Sequence, residues 1–213
     1  MRNISKCSSH VERLTENRGS LVTADKAICV NSISYRNPVP QDGEVLEELI
    51  TEHFTQGSDY DVELGLDDPS TVLRIAEKDG IVVGVMGLTT YDERHDIEEA
   101  MFHFQDIEPV SEYDTYGYLH TGYVRQGYTG QGIGSELFEQ LRKEGFERGV
   151  DVLVADSWFH GGEDSPEKLF EKYDFDVVRT RDISDHAGDD VCPKCGNDCV
   201  CGVALGVHQL SAK

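Results

Sequence analysis

The sequence predicts an α/β (α+β) fold organised around one mixed sheet. Three observations predict it. Apolar runs of strand length alternate with segments of helical periodicity. The dipeptide Asp79-Gly80, a strong hairpin signal, separates two of the runs. A third strand-like run passes through a cluster of glycines directly into an amphipathic segment.

Taken in order, residues 1–31 are polar and weakly periodic, and read as a flexible N-terminal extension. Ile33-Ser34-Tyr35 reads as a short strand stopped by Asn37-Pro38-Val39-Pro40. Val45, Leu46, Leu49, Ile50 and Phe54 recur at helical spacing, and Gly57-Ser58 ends that helix. Residues 71–76 and 81–88 form the hairpin. Residues 92–115 are acidic and irregular, expected as a helix or loop over one face. Residues 116–125 are strand-like. Ile133, Leu137, Phe138 and Leu141 then share one stripe of a helix that ends near Gly145 or Gly149. Residues 150–155 are an apolar run suited to a central strand. Ser165-Pro166 opens another helix, with serine as N-cap and proline at the first helical position. A short strand at 175–178, a cysteine-rich loop and a closing strand at 203–210 complete the chain. The expected organisation is an extension at 1–31, one α/β domain at 32–181, and a segment 182–213 holding the loop (192–201) and closing strand.

Asp plus Glu number 41 against 19 Lys plus Arg, a net charge of −22. A surface this acidic repels phosphate backbones, which argues against nucleic-acid binding. The cations do not cluster either: Arg142, Lys143 and Arg148 are interleaved with Glu139, Glu144 and Glu147. The acidity is spread along the whole chain, a pattern that fits adaptation to high intracellular salt better than an ordinary acidic enzyme. No apolar run approaches the roughly 18 residues of a membrane span, and the N-terminus lacks the apolar core of a signal peptide. The expected location is cytoplasmic, away from membranes.

The segment Thr129-Gly130-Gln131-Gly132-Ile133-Gly134-Ser135 concentrates the chemistry. Glycines let backbone approach a ligand closely, and the first N–H groups of a helix have no internal partner. Together with the helix dipole they make a phosphate site from backbone alone, which an acidic protein can still offer. The spacing fits neither G-x-G-x-x-G nor a P-loop. It resembles the pyrophosphate turn of the GNAT acyltransferase superfamily. Val124-Arg125-Gln126-Gly127-Tyr128 is similar to that family's approach to the turn, and Ser135-Glu136-Leu137-Phe138-Glu139-Gln140-Leu141 to the helix behind it. Leu169-Phe170-Glu171-Lys172-Tyr173-Asp174-Phe175 resembles its later L-Y-E-K-x-G-F segment. The likeness covers about residues 31–181 and the closing strand. Three positions depart from the pattern: Thr129 replaces Arg or Gln, Phe170 replaces the tyrosine that often protonates the leaving thiolate, and Asp174 replaces glycine.

The resemblance implies a GNAT fold and an N-acetyltransferase moving acetyl from acetyl-CoA to an amine by direct attack. The amine is a small molecule or a protein amine, and a homodimer is one option for the assembly. The implied cofactor-binding residues are Tyr123, Val124, Thr129, Gly130, Gln131, Gly132, Ile133, Gly134, Ser135 and Phe170. Strand alternation puts Tyr118, His120, Gly122 and Val124 on one face. His120, with an ordinary pKa near 6.5, is then the candidate base, and equally readable as a satisfied core histidine. Tyr173 lies three positions after Phe170 and is the candidate acid, or an aromatic packed on the sheet. Trp158 and Phe159 are candidates for the acceptor pocket or its rim. The rival reading is a non-catalytic acyl-CoA-binding sensor or interaction module, favoured by the missing tyrosine at 170.

Of six cysteines, Cys7 and Cys29 are isolated and four lie between positions 192 and 201. Cys192-Pro193-Lys194-Cys195-Gly196 has the form of a zinc knuckle, and Cys199-Val200-Cys201 supplies two more thiolates. A structural four-thiolate zinc, one per chain, is expected there; the alternative is a redox-sensitive or unligated loop.

Overall fold

In the computed structural model of the chain, residues 32–55, 64–101, 103, 104, 107, 113–162, 165–185, 192 and 195–210 are described. The N-terminal extension expected at 1–31 lies outside them. Seven strands form one sheet: β1 (Ser34–Arg36), β2 (Thr71–Lys78), β3 (Ile81–Tyr91), β4 (Tyr116–Val124), β5 (Val152–Phe159), β6 (Asp176–Asp182) and β7 (Gly202–Gln209). Their spatial order is β1-β2-β3-β4-β5-β7-β6. All neighbours are antiparallel except β4 and β5, which run parallel because α3 (Ile133–Glu147) crosses over between them. The expected mixed α/β sheet, with a cysteine cluster before the last strand, is therefore present.

Strand alternation sorts the core onto two faces. On one, Leu137, Phe138 and Leu141 of α3 and Phe170 of α4 (Glu167–Lys172) pack on Val72, Val83, Leu88, Leu119 and Leu153. On the other, α1 (Gly43–Thr55) brings Leu46, Leu49 and Ile50 to Leu73, Ile75 and Val85. On that same face α2 (Arg94–Ala100) brings Ile97 to Tyr116, Tyr118, Val152 and Val154. Among its described residues, the segment expected as helix or loop at 92–115 holds the short helix α2.

The start of α1 is secured by an ion pair that the hydrophobic pattern does not reveal. The Arg36 guanidinium grips Asp42 with both Nη atoms, at 2.6 and 2.9 Å, and also pairs with Glu77. Those hydrogen bonds hold the Asp42 carboxyl below its usual range although it is buried. At α4 the expected cap is displaced by one residue. Pro166, at φ −59°, sits at the N-cap, and its carbonyl takes the N–H groups of Leu169 and Phe170. Ser165 is buried, donates to Glu167 at 2.9 Å, and accepts the His160 N–H.

Candidate active site

The glycine turn leaves β4 through ordered hydrogen bonds: Arg125 N–H donates to the Val83 carbonyl, and Tyr128 N–H to that of Arg125. Gly127, Gly130 and Gly132 have φ of +90°, +71° and +82°, where side chains are strained. No atom lies within 4 Å of where a Cβ would sit on any of the three, so the space over the turn is open. The first helical bond of α3 runs from Glu136 N–H to the Gly132 carbonyl, 3.0 Å. The N–H groups of Ile133, Gly134 and Ser135 therefore have no acceptor within the helix, and no side chain caps it. The Ile133 side chain is core at 1% exposure, so only its backbone can serve a ligand. Gln131 Nε2 closes the turn onto the Gly127 carbonyl at 3.2 Å. Thr129 is half-buried there.

Beside the turn the sheet opens. The ladder between β4 and β5 holds only Tyr116↔Val152, Gly117↔Leu153 and Tyr118↔Val154. Beyond that the two strands diverge, while β5 stays in register with β7 as far as Phe159↔Gly202. The result is a fork whose β4 arm feeds the glycine turn. At its apex, Asp156 accepts the Tyr118 hydroxyl at 2.5 Å and the His103 backbone N–H at 2.6 Å.

The bulge opposite Met86 changes which residues face that fork. Val85 pairs with Tyr123 but Gly87 pairs with His120, so Thr121 and Gly122 share one position, and Thr121 adopts φ 53°. The alternation expected from the sequence therefore breaks at Thr121. Tyr118, His120 and Tyr123 face α1 and α2, whereas Gly122 and Val124 face α3. Tyr123 has its side chain in the α1 core, at 9% exposure. Val124 reaches the turn: a Cβ on Gly134 would lie 3.7 Å from it.

Two expected roles, those of His120 and Phe170, meet geometry that differs from what the spacing implied. His120 Nδ1 lies 2.8 Å from Thr121 Oγ1 and Nε2 3.0 Å from Thr89 Oγ1, which in turn bonds Thr71 at 2.7 Å. Burial pushes its pKa down from 6.5 to about 4, so it is neutral and weakly basic, not the near-neutral base expected. Phe170 is a core residue, 4% exposed, stacked on Phe175 with its ring edge against Gly206. It is not placed on a ligand surface, because Gly206 leaves a hollow that the ring fills. Tyr173 is brought to the turn: its hydroxyl donates to the Ser135 carbonyl at 3.2 Å, and its ring packs on Phe138. It stands on the α3 face and His120 on the other. Phe159 packs edge-on against Phe170, while Trp158 lies beside Cys201.

The apolar run ends at Ala155, one residue short of Asp156, although β5 continues to Phe159. Extending the period-two pattern would have set it on the face of Val152 and Val154.

The Sγ atoms of Cys192, Cys195, Cys199 and Cys201 all lie within 4.8 Å of one another. Cys201 is 3.7 Å from Cys192 and 3.4 Å from Cys195. A tetrahedral zinc with Zn–S of about 2.3 Å has S–S edges of about 3.8 Å, so the donors fit one ion. The knuckle is closed by Gly196 N–H on the Cys192 carbonyl, 2.9 Å, with Gly196 at φ +77°. The cluster touches the residue that follows β5 through Cys195 Sγ and the His160 carbonyl, 3.7 Å.

A strand fork, a bulged β4 and a glycine turn feeding a helix N-terminus together make up the candidate site. The description of the acetyltransferase (GNAT) family matches residues 43–175, well over half the chain, and the protein belongs to that family. Solved structures agree on the fold. Arabidopsis thaliana NAA60 in complex with a bisubstrate analogue superposes with a TM-score of 0.58 at 18% identity, covering 84% of this chain and 98% of that one. The apo form of an agmatine N-acetyltransferase variant gives 0.61 at 13% identity, with 84% and 100% covered. Aminoglycoside 6'-N-acetyltransferase with coenzyme A gives 0.55 at 12% identity, with 86% and 99% covered. No curated protein sequence is similar enough to this chain to match it. No helix among the described residues is long and apolar enough to cross a membrane.

Proposed function

We propose that the protein is an acetyl-CoA-dependent N-acetyltransferase. The observation that carries this reading is the fork between β4 and β5 opening beside the open glycine turn. Ile133, Gly134 and Ser135 offer backbone N–H groups, and the α3 dipole favours the pyrophosphate. The β4 arm near Val124 runs along the pantetheine and offers a donor to the thioester oxygen as charge develops. An amine attacks the carbonyl carbon, the C–N bond forms, and the thiolate leaves. Tyr173 stands at the turn to serve the leaving group; His120 holds the bulge and leaves amine deprotonation to water. The test is thiol release from acetyl-CoA with a panel of amines. Amine-dependent release supports the reading; tight acetyl-CoA binding without any transfer supports an acyl-CoA sensor, which the buried Phe170 favours.

The same reading includes a structural zinc on Cys192, Cys195, Cys199 and Cys201. Four protein ligands leave no open position, so such an ion clamps β7 and takes no part in transfer. Elemental analysis of the reduced protein is expected to find about one zinc per chain, lost in Cys195→Ser. Metal-free protein with all four thiols titratable would contradict it.

A further inference from the structure

We propose that Thr121 orients the attacking nitrogen: its hydroxyl proton is committed inward, and its oxygen lone pairs are left at the fork to accept an N–H of the acceptor. The inference rests on the N-acetyltransferase reading and adds a residue to it. Five side chains form one hydrogen-bonded chain that crosses β2, β3 and β4. Asp68 Oδ2 lies 3.2 Å from Thr71 Oγ1, which lies 2.7 Å from Thr89 Oγ1. Thr89 Oγ1 lies 3.0 Å from His120 Nε2, and His120 Nδ1 lies 2.8 Å from Thr121 Oγ1. Gly87 makes room for the imidazole, since a Cβ there would come within 2.5 Å of the ring.

The chain has one direction, set at its exposed end. Hydrogen bonds from Ser70 and Thr71 hold the Asp68 carboxyl below its usual range, so it is ionised near neutral pH and can only accept. Thr71 donates its proton to Asp68 and so accepts from Thr89. Thr89 has then used its own proton and accepts from His120, which therefore carries hydrogen on Nε2. Burial keeps the imidazole neutral, so Nδ1 is bare and accepts the hydroxyl of Thr121. Each hydroxyl has a single proton, so no link can reverse alone.

Thr121 stands where the strands part. Val85 pairs with Tyr123 and Gly87 with His120, which leaves Thr121 without a partner in the β3 ladder. The β5 ladder has already ended at Tyr118. Thr121 is half-buried and Gly122 beside it is exposed. Among the described residues its hydroxyl is bonded to His120. Its φ of 53° is strained for a β-branched residue, and such strain gathers at functional sites.

With a primary amine the protons balance as follows. The ammonium passes one proton to water. One N–H of the neutral nitrogen donates to Thr121 Oγ1 as the nitrogen attacks the thioester carbon. The C–N bond forms, the C–S bond breaks, and the other nitrogen proton ends on the thiolate as thiol. The proton held by Thr121 stays on the amide nitrogen, so Thr121 neither gains nor loses one.

Two readouts on the full chain test this. The first is nitrogen-15 histidine NMR, with the His120 signals assigned by their loss in His120→Gln. The wild type should carry hydrogen on Nε2. In Thr89→Val the hydrogen should move to Nδ1, which turns the Thr121 proton out toward the fork. The second readout is acetylation of phenethylamine, cadaverine and a lysine-containing peptide. Thr121→Val and Thr89→Val should each lower kcat/KM for the amine about 3- to 10-fold, the worth of one neutral hydrogen bond, with the acetyl-CoA Kd within about twofold. Thr121→Ser and Thr89→Ser keep the hydroxyl and should match the wild type in both. Asp68→Ala, at an exposed position, should mix the two tautomers and lose less activity; it decides the matter if Thr89→Val fails to fold. Hydrogen on Nδ1 in the wild type would overturn the proposal. So would unchanged kcat/KM in Thr121→Val, or a loss in Thr89→Val with the tautomer unmoved. A wild-type protein that binds acetyl-CoA and acetylates no probe would overturn the transferase reading itself, and the role of Thr121 with it.

Discussion

At the scale of single residues, His120 shows how environment overrides type. Its ring lies on Gly87, where any Cβ would come within 2.5 Å, and both nitrogens meet threonine hydroxyls. The hydrogen bonds suit a neutral imidazole, and burial opposes the charged form. The sign follows: with a folded pKa near 4 and an unfolded value near 6.5, the unfolded chain binds more protons between them. His120 therefore withdraws stability as pH falls through that window and costs nothing above it. His120→Gln should flatten the loss of unfolding free energy between neutral pH and pH 4, by at most about 3 kcal/mol, read by denaturant titration at each pH. Identical acid profiles for the two proteins would show that the imidazole is not desolvated. Thr121, the β-branched residue at φ 53°, carries the bulge that puts His120 and Val124 on opposite faces. Nothing in a period-two pattern announces such a bulge, which is why alternation misplaced Gly122 and Val124.

Among elements, α4 against β7 is the joint most sensitive to volume. Phe170 fills the hollow over Gly206 and stacks on Phe175, with ring centroids 4.6 Å apart. Gly206→Ala should destabilise by about 1–3 kcal/mol in a denaturant titration, and Phe170→Leu should recover part of it. Independent, additive losses would mean that the two do not share the space. Elements with a strong local signal were legible: α3 from its apolar stripe, the β2–β3 hairpin from Asp79-Gly80, β5 and β7 from apolar runs. Elements defined by tertiary contact were not. The bounds of β5 and β6 depend on pairing with β7, which carries both past the end of their continuous apolar runs. The Arg36–Asp42 pair joins residues whose types alone give no hint of burial. The glycine turn was legible because its chemistry is backbone chemistry. The fork apex was not, since Tyr118, His103 and Asp156 come from three separate segments.

For the whole molecule, charge and cofactor are the governing quantities. A net charge of −22 repels itself, and ions screen that repulsion within about 3 Å at 1 M salt. The melting temperature should therefore rise between low and molar potassium chloride; a flat or falling curve would argue for an ordinary acidic protein. The central claim is that acetyl-CoA binds across the glycine turn. Gly134 is helical, and a Cβ there meets Val124 at an ordinary 3.7 Å, so Gly134→Asp leaves the fold intact. An aspartate in the first turn favours the helix dipole yet repels a pyrophosphate at the same N–H groups. Calorimetric titration of acetyl-CoA into both proteins is the most direct measurement. The account predicts clear binding by the wild type and affinity at least about 100-fold weaker in Gly134→Asp, roughly 3 kcal/mol, with no loss of melting temperature. Equal affinity in a folded Gly134→Asp protein would contradict it.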